Sequence, residues 1–309
     1  MTSREQAAEI AIIVPSWNTR ELLAACLDSI AATAGELRVE TIVVDNGSSD
    51  GSEALVRDRF PSVRLLANPD NVGFARACNQ GAALTQAAYV VFLNSDAQLL
   101  PGALQRLLAL AAAKPRAGII GAQIRNTDGS FQASHARFPS QMQAFLVLSG
   151  LGRLVVGPWY PSRGPADEGE PQRVDWVSGA CVFARRAALV ELGAFDEDYF
   201  MYSEELDLCY RMHRAGWEVW YEPAAHVIHL GGASSKGRQA QREAELYCSQ
   251  VHFFHRHYGR WQAALLTAQI CAFTAIKQLT HSLVRRVSGG RWGRPVVPLR
   301  VLVARLRAQ

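Results

Sequence analysis

Apolar and polar positions along the chain follow two periods. Residues 10–15 (IAIIVP), 39–45 (VETIVVD) and 88–94 (AYVVFLN) are short runs rich in β-branched and aromatic side chains, and 63–67 (VRLLA) is a further short apolar run. That composition predicts strands, the one at 10–15 buried on both faces. Between them the spacing is helical: over 19–34, Leu22, Leu23, Cys26, Leu27 and Ile30 share one face. Residues 52–60 and the alanine-rich 73–85 read as further helices. Strand and helix alternating in this way predict an α/β fold, with a mainly parallel sheet covered by helices. Ligands of such sheets bind beyond the carboxyl ends of the strands. Polar residues gather at those ends: 15–18 (PSWN), 45–50 (DNGSSD) and 94–96 (NSD).

The second half is different. Residues 126–175 are rich in Gly, Pro, Ser and Arg with few clear strands, and read as a long irregular excursion over the active face, a common place to recognise a second substrate. Strand-like composition returns at 174–184. A helix is predicted at 186–192, another from about 205 to 215 and a short strand at 217–221, and the chain is largely helical from 238 onward. The organisation expected is one domain over 1–235, with halves of about 10–125 and 126–235, followed by a helical extension over 236–309.

Charge sharpens that division. Of 309 residues, 49% are hydrophobic and 19% charged, the balance of an ordered globular protein. After Glu245 there are ten Lys and Arg and no acidic residue, so the +4 of the whole chain conceals a body at −6. A basic extension on a mildly acidic body calls for an anionic partner. The six cysteines, at 26, 78, 181, 209, 248 and 271, form no CxxC pair, which suits free thiols in a reducing compartment. The first residues, MTSREQAAEI, hold no apolar stretch of signal-peptide length, and no uninterrupted apolar run of about eighteen residues predicts a spanning helix.

Chemistry has several candidate seats, each with a plainer alternative. Asp45 can accept a hydrogen bond from a base edge such as the N3–H of uracil or thymine; DNGSSDG equally fits a turn with Asp50 or Ser52 as a cap. Asn71 to Arg76 leads into a helix whose first amides can face an anion, or is an ordinary surface loop. Asp96, after a buried strand, suits a hard divalent cation, or closes an Asx turn. Glu204, Glu205 and Asp207 crowd the start of a helix with Ser203 placed as N-cap, a position for a general base or for dipole-matching acids; Asp207 and Arg211 are spaced to pair. His226 and His229, three apart in an extended segment, point to opposite faces, so one at most joins Asp96 at a metal. His252, His255 and His257 read as packing and surface.

Taken in order, IIVPSWN, VVDNGSSDGS, NVGFARACNQG, VVFLNSDA, WVSGACVFARR, GAFDEDYFMYSEELDLCYR and VIHLGGASS resemble glycosyltransferase family 2, inverting enzymes of the GT-A fold, over roughly residues 10–235. The resemblance implies that Pro15 and Asp45 hold the nucleotide base and that Arg76 lies near the diphosphate. Asn18, Asn71, Gly73 and Asn94 belong to the same nucleotide-sugar site. Asp96 becomes the metal-binding Asp, with His229 as a late metal contact, and the cofactor is Mg²⁺ or Mn²⁺. Glu205 aligns with the catalytic base, and Trp176, Gly179 and Glu204 with the acceptor side. Two departures stand out: Asn94 replaces the first Asp of the Asp-x-Asp-like motif, and Glu205 stands where many relatives carry Asp. The subgroup it most resembles is the rhamnosyltransferase-like and galactofuranosyltransferase-like enzymes of cell-surface polysaccharide synthesis.

The activity expected is sugar transfer from a dTDP- or UDP-linked donor to a hydroxyl of a lipid-linked or polysaccharide acceptor, bound between the 126–175 excursion and Glu205. The rivals are a nucleotidyltransferase, whose Gly-rich phosphate loop IIVPSWNTR does not match, and a non-catalytic binding protein. Nucleic acid is not an expected partner, because the extension lacks aromatic-rich or helix-turn-helix features. Instead Leu266, Ile270, Phe273, Ile276, Leu283 and Val287 recur as one helical stripe, with Lys277, Arg285, Arg286, Arg291, Arg294, Arg300, Arg305 and Arg307 beside or after it. Such a stripe can lie on anionic lipid at the inner face of the cell membrane, or pack on the protein itself.

Overall fold

The computed structural model describes residues 8–164, 169–231, 239–287 and 297–307. By contact the chain divides into two units, Met1–Phe138 with Ser162–Phe200 and Glu204–Ser234, and Pro139–Pro161 with Met201–Ser203 and Ser235–Gln309. The segment 139–161, read from the sequence as part of the acceptor half, groups with the C-terminal helices.

The first unit is built on strands β1 (Ile10–Ser16), β2 (Val39–Asp45), β3 (Arg64–Ala67) and β4 (Tyr89–Leu93). They run parallel in the order β3-β2-β1-β4. Helices α1 (Arg20–Thr33), α2 (Ser52–Arg59) and α3 (Phe74–Ala83) connect them. Alternate residues of β1 face opposite cores. Ile10, Ile12 and Val14 pack with Leu23, Leu27 and Ile30 of α1, whereas Ile13 packs with Ala75, Ala77 and Cys78 of α3. Each fully buried Ile or Leu contributes about 1.5–3 kcal/mol. The small residues of α3 set its distance from the sheet, since a Cβ on Gly81 would stand 2.4 Å from Ile13 Cγ2.

Residues 97–125, to which the apolar pattern assigned no element, form β5 (Ala97–Leu99), α4 (Ala103–Ala113) and β6 (Ala117–Arg125). Lys114, Pro115 and Arg116 separate helix from strand, but within α4 only Gln105 and Arg106 are polar, so no single helical face stands out from the pattern. The short β7 (His135–Ala136) pairs antiparallel with β9 (Trp176–Val177), which follows the two-residue β8 (Gln172–Arg173). Strand β10 (Cys181–Arg185) lies antiparallel between β4 and β6. After α7 (Arg186–Leu192) and α8 (Glu204–Arg214) comes β11 (Glu218–His229), much longer than the five residues predicted. It runs parallel to β6 with a register shift between Glu222 and His226, so Pro223 marks an irregularity rather than an end. Beyond it, β11 pairs with β5, setting His229 opposite Ala97.

The second unit holds α5 (Gln141–Ser149), α6 (Leu151–Val155), α9 (Gln239–Tyr258), α10 (Arg260–Val287) and α11 (Leu299–Arg307). The predicted irregular excursion thus contains two helices. Within α10 the segment Arg260–Ser282 is long and apolar enough to cross a membrane by length and composition. The uninterrupted-run criterion passed over it because Thr267, Gln269, Thr274, Lys277 and Gln278 break the run. Of the stripe read from the sequence, Leu266 and Ile270 are buried, the packing alternative, whereas Ile276 is exposed. Gly232 to Ser235 of the late motif, Arg291 and Arg294 lie outside the described residues, as do the side chains of Leu283, Arg285, Arg286, Val287 and Arg307.

Candidate functional site

Two loops at the carboxyl ends of β1 and β2 make the first wall. Pro15 follows the last β1–β4 pair, Ile13 with Phe92, so its missing N–H is spared a partner on that side. Ser16 is in register with Asp45. Asp45 is buried; its Oδ2 accepts from the Ser48 N–H at 2.9 Å, and its Oδ1 has no partner among the described residues. Asn18 adopts a left-handed backbone (φ 52°), donates its N–H to Ser48 Oγ and accepts from Ser49 N–H at 2.8 Å. Asp50 ties both loops to the helices that follow them. Its carboxylate accepts from Arg20 N–H at the start of α1 and from Ser52 N–H and Oγ–H at the start of α2. Burial raises the Asp50 carboxyl, but these hydrogen bonds outweigh it and hold the group below its ordinary range.

The segment before α3 is organised by amides. Asn71 Oδ1 accepts from Gly73 N–H at 3.0 Å, and Asn46 Nδ2 donates to Gly73 O at 3.2 Å. Asn68 and Gln80 exchange two further bonds. Gly73 has φ 90°, and a Cβ there would stand 2.7 Å from Phe200 O, so only glycine fits. Phe74 N–H donates to that same oxygen at 2.8 Å. Arg76, about half exposed, pairs through Nε with Glu197 Oε2 at 2.7 Å. Glu197 also accepts from Asn79.

The third group surrounds Asp96. His229 Nε2 lies 3.2 Å from Asp96 Oδ1 and 3.2 Å from Asn94 Nδ2. His226 instead meets Arg125, the divergence that alternation along an extended segment dictates. Gln132, which sequence reasoning missed, orients the imidazole. Its Nε2 donates to Asn126 Oδ1 and to the His229 carbonyl, so its Oε1 accepts from His229 Nδ1 at 2.6 Å. With the proton on Nδ1, the Nε2 lone pair faces a carboxylate oxygen, an arrangement that a bound cation resolves. Asn94 Oδ1 is buried nearby with no partner among the described residues. One carboxylate and one imidazole fixed in its metal-binding tautomer fit a divalent cation, with the Asn94 amide nitrogen 3.2 Å from that imidazole. Nothing in the local pattern of residues 126–134 distinguishes Gln132, since its importance arises only from the pairing of β11 with β5 and β6.

The fourth group opens α8. Tyr202 and Ser203 have φ of 73° and 67°, so Ser203 lacks the extended backbone of an N-cap, which corrects the sequence expectation. Glu204 is buried, and Glu204 Oε2 has no partner among the described residues. Burial, followed by the charge of Glu205, pushes the Glu204 carboxyl well above its ordinary range. Glu205 stands against Gly179: a Cβ on that glycine would lie 3.3 Å from Glu205 Cδ. Trp176, on the strand before this turn, donates its indole N–H to Arg137 O at 2.9 Å. Asp207, fully buried, pairs with Arg211 at 2.6 Å, and Arg211 donates to the carbonyls of Leu192 and Ala194. That bond set anchors α8 and with it the position of Glu205. The buried thiols of Cys26, Cys78, Cys181 and Cys209 are raised by burial, which suits packing rather than reactivity.

The model of the family described as "Glycosyl transferase family 2" matches residues 11–189. The chain is 37% identical over 253 residues to an N-acetylglucosaminyl-diphospho-decaprenol L-rhamnosyltransferase of Mycobacterium tuberculosis, covering 75% of this chain and 80% of that one. A stretch of 56 residues is 45% identical to the rhamnosyltransferase WbbL of Escherichia coli K12, 18% of this chain and 21% of that one. Among solved structures, the mannosyltransferase PcManGT of Pyrobaculum calidifontis, in complex with GDP-Man and Mn²⁺, matches with a TM-score of 0.58. That match covers 98% of this chain and 81% of that chain at 16% identity, a likeness of fold. The nucleotidyltransferase and binding-protein alternatives give way to these matches. The fold is of the GT-A type, and the chain is a glycosyltransferase that belongs to glycosyl transferase family 2.

Proposed function

We propose that this protein transfers a sugar, rhamnose or a galactofuranose-like residue, from a dTDP- or UDP-linked donor to a hydroxyl of a lipid-linked glycan, with inversion at the anomeric carbon. The observation that carries the reading is the closeness of the Glu205 carboxylate to Gly179, in the same unit as the Asp96–His229 pair. The rhamnosyltransferase relative, whose name specifies a diphospho-decaprenol acceptor, supports the choice of sugar and acceptor.

In this reading the Asp45 carboxylate accepts a hydrogen bond from the base, with Pro15 and Asn18 shaping the same wall. Asn71, Gly73 and Arg76 border the diphosphate. Asp96 and His229 would hold Mg²⁺ or Mn²⁺, which supplies positive charge against the departing diphosphate. Gln132 keeps the His229 proton on Nδ1. Glu205 takes the proton of the acceptor hydroxyl as that oxygen attacks the anomeric carbon from the face opposite the leaving group. Glu204, holding its own proton, lets one carboxylate of the pair stay ionised. Trp176 and Gly179 flank the acceptor. The basic helical extension attaches the enzyme peripherally to the inner face of the cell membrane, where a lipid-linked acceptor for cell-surface glycan synthesis is met.

The test is a donor panel against N-acetylglucosaminyl-diphospho-polyprenol, following nucleoside diphosphate release and the anomeric proton of the product by NMR. Transfer from a dTDP- or UDP-sugar that requires Mg²⁺ or Mn²⁺ and yields the inverted anomer is the expected result. A retained anomer, or no release from any donor, would sink the reading.

A further inference from the structure

The second unit turns apolar side chains outward on two elements. On α10, the face carrying Ala263, Leu266, Ile270 and Thr274 is buried. The opposite face carries Trp261, Leu265, Ile276 and Leu279, which are 77%, 50%, 52% and 72% exposed. These positions recur at helical spacing, so the face is continuous. The second element is α6 and the turn after it, where Leu154, Val155, Val156 and Trp159 are all exposed, Leu154 by 83%. Helix α5 joins the two. Gln141 donates to the Gln262 carbonyl of α10 at 2.7 Å and accepts from Gln269, and the partly exposed Phe145 packs edge-on against Phe273. Monomeric soluble proteins rarely leave contiguous apolar patches of this kind open to water.

Charge identifies the occupant. The segments of this unit, 139–161, 201–203 and 235–309, contain fourteen Lys and Arg but only two acidic residues, Glu243 and Glu245. Both acids are engaged internally, Glu243 with Lys277 and Glu245 with Arg305. Arg153 is exposed within α6, and Arg260 is exposed and lies over the Trp261 ring at 5.1 Å. Exposed Trp beside exposed Arg on an apolar face is the composition that settles at a headgroup boundary. Two copies of so cationic a unit would repel each other, which disfavours self-association through this face.

We propose that α5, α6 and the Trp261–Leu279 face of α10 form one docking surface for an anionic lipid bilayer, lying in its interface rather than crossing it. This builds on the membrane reading given above and relocates it: the inserted 141–159 segment and the outer face of α10 make the contact, not the Leu266–Ile270 stripe. Basic residues near the bilayer each add about 1 kcal/mol of attraction, and apolar insertion makes the attachment outlast salt.

The test is co-sedimentation of the full-length protein with phosphatidylglycerol-containing vesicles and with pure phosphatidylcholine vesicles. Two paired variants accompany it, Leu154→Asp with Val155→Asp and Ile276→Asp with Leu279→Asp. Transfer to a short-chain, water-soluble acceptor is assayed alongside, so that loss of docking and loss of the transferase activity are read separately. Strong binding to the anionic vesicles only, extraction by alkaline carbonate, and a drop of about tenfold or more in each paired variant with soluble transfer unchanged are expected. Four results would overturn the proposal: wild-type protein left in the supernatant at low salt, binding unaltered in both variants, retention through carbonate as for a spanning helix, or a dimer that the variants convert to monomer.

Discussion

Asp45 and Glu204 are both buried carboxylates in the first unit, and each has one oxygen with no partner among the described residues. Their settings differ. Asp45 ends β2, where the Ser48 amide is aimed at it and where Asn18 and Asp50 bind neighbouring main-chain groups. Glu204 is buried beside a second carboxylate, and burial, then that neighbour's charge, push its carboxyl well above the ordinary range. The comparison teaches that burial alone does not define a carboxylate's work. At Glu204 burial and the charge of Glu205 outweigh the one backbone hydrogen bond its carboxyl accepts, and on the proposed reading Asp45 is the acceptor that meets a ligand's N–H.

The largest effect expected is at Glu205. Glu205→Gln should lower kcat by about 10²-fold or more with donor affinity kept, because the amide cannot take a proton. Glu204→Gln should leave kcat within a few-fold. If steady-state kinetics found Glu204→Gln to be the inactive variant, the two roles would be exchanged. Next in size, Asp96→Ala and His229→Ala should each abolish metal-dependent donor binding in calorimetry while His226→Ala preserves it. Gln132→Leu should weaken metal binding about 10- to 100-fold through the freed tautomer. Unchanged metal affinity in Gln132→Leu would remove it from the site.

Asp45→Asn should weaken donor binding by about tenfold, the worth of one hydrogen bond to a charged acceptor. Equal affinity for donors of every base in wild type and variant would end the base-contact reading. The smallest effect expected is thermodynamic. The folded-state carboxyl of Glu204 is raised above the ordinary 4.5, so its contribution is most favourable below that pH and is lost as pH rises through the folded value. Glu204→Gln removes that loss. Its Tm should therefore exceed wild type by a few degrees (on the order of 2–4 °C) at pH 7, with the difference closing toward pH 4.5. A gap independent of pH would show that Glu204 is not the titrating group.

Much of the first unit was legible because IAIIVP, VETIVVD and YVVFL are short, β-branched and bounded by polar turns. The stretch 97–125 was not, since ALQRLLALAAA has only Gln105 and Arg106 to mark a polar face and the two glycines of AGIIGAQIR weaken its strand pattern, although Lys114, Pro115 and Arg116 separate the two. Residues 141–155 were read as irregular because Ser149, Gly150 and Gly152 break the pattern, though Gly150 is in fact a left-handed C-cap (φ 77°) separating two helices. In the site, strand-end positions such as Asp45 and Asp96 could be picked out from the sequence alone. Gln132 could not, because a lone glutamine in a polar segment gains its significance only from strand pairing that brings β11 back across the sheet.

The bonds of Asp50 have a further consequence. One carboxylate fastens the start of α1 to the start of α2, while Asn18 and Ser48 close a second tie between the same loops. The chain from 16 to 20 and from 45 to 52 is thereby cross-linked into a ring before any nucleotide arrives. On the proposed reading a base meeting that ring has little left to freeze, so association should lose little conformational entropy there and should not wait on loop ordering. Cutting the tie at Asp50 would not remove a contact to the nucleotide; it would hand the ordering cost back to the moment of binding.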